Sequence, residues 1–269
     1  MKAWLMRRIP ASLSAAATMV AAISMMSFGV IWLPAVAQEG GQAANADEGH
    51  AHDAGDIWDI ARGGQLYDKW WAVTEAEAPK DTHPAYPAAA KQKGSGTWRC
   101  KECHGWDYMG EDGAYAKGSH ATGITGVRGV AGMEPEKIHQ IIMDDTHGFT
   151  EQTMTHSAME KLALFLSKGQ IEMDRYIDRE TKKARGNPRR GAQFFQTICV
   201  VCHGTDGKLI NFGDEKEPEY VGTVGSENPW EALHKIRFGQ PGVGMVAMMV
   251  LDIEDQVDIL AYIQTLPAK

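Results

Sequence analysis

Apolar residues recur at helical spacing in short windows, and the windows come in matched pairs. Arg62-Gly63-Gly64-Gln65-Leu66-Tyr67 matches Arg190-Gly191-Ala192-Gln193-Phe194-Phe195. Lys137-Ile138-His139-Gln140-Ile141 resembles Ala232-Leu233-His234-Lys235-Ile236, and Leu162-Ala163-Leu164-Phe165-Leu166 resembles Ile259-Leu260-Ala261-Tyr262-Ile263. Each half therefore opens and closes on a helix, with a third helical segment between. No long alternating run marks a strand, so the pattern predicts an all-α chain built from two tandem units.

Before the repeat lies a different pattern. Lys2, Arg7 and Arg8 precede an uncharged run from Ile9 to Ala37 that ends Ala35-Val36-Ala37. This is the layout of a signal peptide over 1–37, with Gln38 as the new N-terminus. A second reading leaves it uncleaved, as a membrane anchor through residues 9–33. Either way the rest of the chain is exported to the periplasm or another extracytoplasmic space. Residues 38–55 are Gly, Ala, Asp, Glu and His without apolar period and read as a flexible leader. His50 and His52 read there as parts of a solvated tail. Domain 1 spans 56–173, a polar linker 174–188, and domain 2 spans 189–269. The linker carries the charged run Asp178-Arg179-Glu180-Thr181-Lys182-Lys183 and ends Gly186-Asn187-Pro188. Domain 1 holds an insertion, residues 72–97, that domain 2 lacks. It either serves function or packs over its own aromatics.

The chain has 269 residues, 27 basic against 35 acidic side chains, and four cysteines. Loss of residues 1–37 leaves 24 basic against 35 acidic, a net charge of −11. So acidic a chain is repelled by anionic lipid and nucleic acid and is steered to basic patches on partners.

All four cysteines fall in two C-x-x-C-H words, Cys100-Lys101-Glu102-Cys103-His104 and Cys199-Val200-Val201-Cys202-His203. Two thiols two residues apart can form thioethers to two vinyl groups, and the following His then faces an iron. This is the attachment signature of c-type haem. A zinc site is disfavoured because the two pairs stand too far apart. A thioredoxin-like dithiol lacks its βαβ setting, and disulfides leave the two histidines unexplained. The reading is two covalently attached haem c groups on Cys100, Cys103, Cys199 and Cys202, with His104 and His203 as iron ligands.

The order of helix, C-x-x-C-H, Gly-rich loop, Met region and closing Leu-Ala-x-aromatic helix resembles class I cytochrome c, in tandem, over most of 56–269. Arg175-Tyr176-Ile177-Asp178 and the stretch from Asn228 to Met245 resemble a subgroup of exported dihaem cytochromes. The resemblance implies small all-α domains that carry electrons, usually with His/Met axial ligation. Gly239-Gln240-Pro241-Gly242-Val243-Gly244-Met245-Val246-Ala247 resembles the family's G-x-x-x-x-x-M-P-A loop, with Val246 in place of Pro. It marks Met245 as the sixth ligand, 42 residues after His203 and 17 before Tyr262. The same ruler in the first half selects His147, 43 after His104 and 18 before Phe165. Its alternative, Met154, lies 11 before Phe165, where the second half has Leu251 in a packing role. Met143, Met248 and Met249 read as core residues. His139 and His234, at matching helix positions, read as exposed histidines with a propionate bond as the alternative. His120 takes no role.

The chain then reads as an electron carrier between donor and acceptor redox proteins. The alternatives are a haem-containing oxidoreductase, or the electron-accepting subunit of one, acting for example on a small sulfur compound, and a haem subunit of a membrane respiratory complex.

Overall fold

The computed structural model describes residues 54–269. The signal-peptide, anchor and leader expectations for 1–53, including His50 and His52, lie outside them. Among the described residues nine α-helices follow one another: α1 Ala54–Thr74, α2 Cys100–His104, α3 Pro135–Ile142, α4 His156–Leu164, α5 Pro188–Phe194, α6 Val200–His203, α7 Val221–Glu227, α8 Pro229–Phe238 and α9 Ile253–Ile263. Among the described residues the only β-pairing is two isolated bridges, Gly110 with Thr125 and Ile177 with Ala184. No helix among them is long and apolar enough to cross a membrane.

Local chemistry accounts for the helix starts. Pro135, Pro188 and Pro229 each occupy a first turn, where a missing N–H costs nothing. Asn187 and Asn228 cap α5 and α8 by accepting from Arg189 N and Glu231 N, and Thr155 caps α4 through Ala158 N. α1 starts two residues inside the expected leader and runs three residues into the expected insertion. Its helical geometry breaks at Lys69 (φ −156°, ψ 80°).

The same helix crossing occurs twice. α1 packs across α4 and its π-turn extension Phe165–Gly169, and α5 packs across α9. A glycine sits at each crossing, at the same place in the repeat. A Cβ on Gly63 would stand 2.1 Å from the Lys161 carbonyl oxygen, and one on Gly191 would stand 1.8 Å from the Asp258 carbonyl oxygen. Only glycine lets the two backbones approach that closely.

The two halves share one apolar core. α8 lies on α1, with the Phe238 ring against Gly64. Gln65 Nε2 donates to the Phe238 carbonyl (2.8 Å), and Arg237 donates to the Gly169 carbonyl (3.2 Å) and to Gln256 Oε1 (3.1 Å). The 174–188 stretch is pinned as well: Ile177 is fully buried and Arg179 reaches back to Asp107.

Candidate functional site

Both C-x-x-C-H words end a helix in the same way. Gly105 and Gly204 follow the histidine at φ 80° and 77°, a conformation that stops the helix at once. The carbonyl of His104 accepts from Gly110 N (2.9 Å) and that of His203 from Leu209 N (3.0 Å), six residues on in each case. Asp107 Oδ1 accepts from Met109 N (3.2 Å) and Asp206 Oδ1 from Lys208 N (3.1 Å). The repeat thus extends to C-H-G-x-D, a word present in both halves that reading the cysteine motifs alone passed over.

In the first half His104 and His147 meet. Their ring centroids are 6.3 Å apart and the planes differ by 30°. His104 Nδ1 bonds the Thr125 carbonyl (2.7 Å) and His147 Nδ1 bonds Asp144 Oδ1 (2.9 Å). A carbonyl and a carboxylate accept, so both Nδ1 atoms carry the proton and both Nε2 atoms carry a free lone pair. Two imidazoles on opposite sides of one metal ion, each bonded at about 2 Å, have centroids roughly 6 Å apart. At 6.3 Å the two rings stand at that separation. The rival, Met154, is fully buried in the core.

The insertion folds against this histidine loop. His83 Nε2 donates to the His147 carbonyl (2.9 Å), and its ring packs on Trp98 at 4.3 Å. Thr97 accepts from His83 N, and Trp98 Nε1 donates to the Asp81 carbonyl. Tyr86 is buried, as the reading of a loop packed over its own aromatics requires. His120, left without a role, is bonded to the buried Glu102 inside the first motif (2.7 Å) and stacks on Tyr115.

In the second half His203 is half-buried, and its Nδ1 is buried without a partner. Phe195 and Phe212 stand 6.4 and 6.1 Å from its ring. Val201, Leu209, Phe212, Val243 and Val246, on either side of His203 and Met245, leave large apolar side chains exposed. Met245 is half-buried in the loop between α8 and α9, while Met248 is in the core and Met249 packs beside it. All four cysteines are free thiols. Burial pushes Cys100 and Cys103 up to about 12 and Cys199 to about 11, opposite to what a redox dithiol needs.

Three expectations are corrected. His234 is fully buried: its Nε2 donates to the Gly64 carbonyl (2.9 Å), and the Tyr108 hydroxyl donates to its Nδ1 (2.8 Å). His139 is buried too, with Nε2 unpartnered, beside His156 in an open cleft lined by Glu136 and Glu160. Met143 is 42% exposed and not core, because it follows the last residue of α3 and has turned off the buried face. Among the described residues, no three His, Cys, Asp or Glu side chains converge on a metal position.

Residues 188–267, from the first residue of α5 to beyond the end of α9, match the cytochrome c family. No curated protein and no solved structure matches the chain. The match implies covalently bound haem c and a haem-based electron-transfer role for that part of the chain.

Proposed function

We propose that the chain is an exported dihaem cytochrome c that passes single electrons between redox partner proteins. The observation that carries this reading is the recurrence, around Cys100–His104, of the turn and helix crossing found in the part that matches cytochrome c. What the match implies for 188–267 then extends to the first half.

On this reading Cys100 and Cys103 would hold one haem, with His104 and His147 as its iron ligands. Cys199 and Cys202 hold the other, with His203 and Met245. Haem iron, when bound, supplies a one-electron couple between ferrous and ferric states. The chain's own residues orient and shield it. The Thr125 carbonyl and Asp144 carboxylate fix the rings of His104 and His147 with Nε2 free. The core aromatics Tyr67, Trp106 and Tyr108 exclude water behind the first motif. The uncharged run of residues 9–37 supports export, and the charge of −11 after its removal supports partners with basic docking faces.

Mass spectrometry of the exported protein tests the reading. The mass expected is a chain beginning at Gln38 plus two haems, and Cys100→Ala/Cys103→Ala and Cys199→Ala/Cys202→Ala should each lose one. A redox titration should then resolve two steps. Methionine favours ferrous iron, so the His203/Met245 centre should take the higher potential. Met245→Ala should remove the methionine-type near-infrared band and His147→Met should raise the lower step. One haem or none per chain would overturn the reading.

A further inference from the structure

The first C-x-x-C-H word is held on both flanks by residues of the linker and of the half that follows it. On the N-terminal flank, Arg99 precedes Cys100, and its Nε donates to the Asp68 carbonyl (2.7 Å) while its guanidinium pairs with the Asp68 carboxylate. Asp68 is 1% exposed, and its second partner is Lys235 of α8, at 2.7 Å. On the C-terminal flank, buried Asp107 pairs with Arg179 (2.7 Å), and Tyr108 donates to His234 of α8. Between the flanks, Trp106 packs on the His234 ring at 5.1 Å, with Lys235 Nζ 5.2 Å from its ring centre.

These contacts lead to the proximal histidine by a short route. Tyr108, whose hydroxyl is held by His234, accepts from Val127 N at its carbonyl (2.8 Å). Two residues on, Gly110 forms a bridge with Thr125. The Thr125 carbonyl takes the Nδ1 proton of His104. A displaced Tyr108 therefore displaces the acceptor that sets the His104 ring.

The second C-x-x-C-H word has no such ties to the first half, although the loop that carries Met245 does: Gln65 Nε2 donates to the Phe238 carbonyl (2.8 Å) just ahead of that loop, and Lys235, paired with Asp68, bonds Gln240 within it. Gln196, ahead of the second motif, bonds Tyr262 and Thr205 of its own half, and Lys208, after it, lies over Tyr220. Among the described residues no hydrogen bond or ion pair joins 54–173 to 196–212. The repeat does not supply the missing contact either, since His139, the counterpart of His234, faces an open cleft.

We propose that the second half positions the proximal histidine of the first: His234, acting through Tyr108, sets the orientation of His104. This rests on the reading that both motifs carry haem. His234 is a positioning residue for the haem of the other half, although its place in the sequence assigns it to its own.

The test uses the full-length haem-loaded protein with Tyr108→Phe, His234→Phe and the double variant. Low-temperature EPR of the ferric state and a redox titration read the two haems apart, and Met245→Ala assigns the second haem through its near-infrared band. The expected result is that both single variants shift the EPR signal and redox step of the first haem, and that the double variant shifts them no further. The near-infrared band and redox step of the second haem should not move. Additive shifts, equal movement of both haems, or an unmoved first haem would overturn the proposal. Tyr108→Phe removes one hydroxyl, so it keeps the test available if His234→Phe folds poorly. Mass spectrometry of the same samples separates the two ideas, because fewer than two haems in the wild-type protein would sink the dihaem reading instead.

Discussion

A single methyl group at a helix crossing gives the sharpest check on the repeated architecture. In Gly191→Ala the new Cβ would stand 1.8 Å from the Asp258 carbonyl oxygen and 2.4 Å from its carbon. Both are backbone atoms of α9 and have no rotamer to escape into. α5 and α9 must separate, and Ile259, Leu260 and Ile263 lose contacts in the core. Two effects compete. Alanine is favoured over glycine in a helix interior by about 1 kcal/mol. Overpacking typically costs about 1–3 kcal/mol and more against a rigid neighbour. The overlap is with backbone, so overpacking wins, and a net loss of at least about 2 kcal/mol is expected. For a domain of this size that lowers Tm by roughly 4–8 °C. Gly63→Ala should behave alike, since its Cβ meets the Lys161 carbonyl oxygen and Phe165 Cβ at 2.1 and 2.6 Å. Gly55→Ala, with nothing within 4 Å, is the control and should be neutral or slightly stabilising. Far-UV circular dichroism against temperature, at fixed haem content, reads all three. If Gly191→Ala and Gly63→Ala match or exceed the control, the helices do not cross at these glycines.

Two further outcomes follow from the interface between the halves. Asp68→Asn removes the anion that Arg99 and Lys235 share. Burial raises the Asp68 carboxyl, but the Lys235 and Arg99 charges outweigh it and hold the group below its usual range. Breaking such a buried pair costs about 3–5 kcal/mol, and a urea midpoint that barely moves would show the site to be screened by water. The His234 imidazole is pushed down to about 3, chiefly by burial and against the opposing pull of Asp68, with Lys235 and Arg237 adding to the drop. The unfolded chain takes up this proton near pH 6.5 and the folded chain does not, so stability falls as pH drops from 6.5 towards 3, by up to about 1.4 kcal/mol per pH unit. His234→Phe should show a shallower dependence of urea midpoint on pH between 6.5 and 4.5, and identical slopes would count against a buried neutral histidine.

The helical frame was legible because apolar period and turn residues are local. The paired windows marked α1, α3, α4, α5, α8 and α9, and counting from each C-x-x-C-H word led to His147, which the structure sets opposite His104. What the sequence hid is tertiary. Lys-Ile-His-Gln-Ile and Ala-Leu-His-Lys-Ile are similar words whose histidines read as exposed, and the structure buries both; helical period did not separate them from the solvated case. It does not say that one inner face meets another helix pair and the other meets a cleft. Arg179 sits in a charged run that reads as solvated, yet its partner is a buried aspartate 72 residues earlier. Separation in sequence carries no mark of that contact. The glycines were visible as repeat positions, but nothing local says that a backbone lies within 2 Å of a missing Cβ.

The unequal support of the two C-x-x-C-H words has a physical origin in the insertion. In the second half α5 runs through the π-turn Phe195–Cys199 into α6 without a break, so one helical run from Pro188 to His203 carries the motif. That run is clamped on α9, and the motif inherits its rigidity from its own half. In the first half the helix breaks at Lys69, and Cys100 begins a new helix of five residues after an extended Arg99. A helix that short cannot hold itself, since nucleation is costly and few bonds repay it. Its flanks must be tied to something else. The residues that tie them are Asp68, Asp107 and Tyr108, and their partners include Arg179 in the linker and Lys235 and His234 beyond it. Lengthening the path to the motif thus freed the first site from its own helix and made it depend on the second half. The second motif, carried by its own helical run, needs no such tie, and the first half reaches only the loop of Met245, through Gln65 and through the Asp68–Lys235 pair.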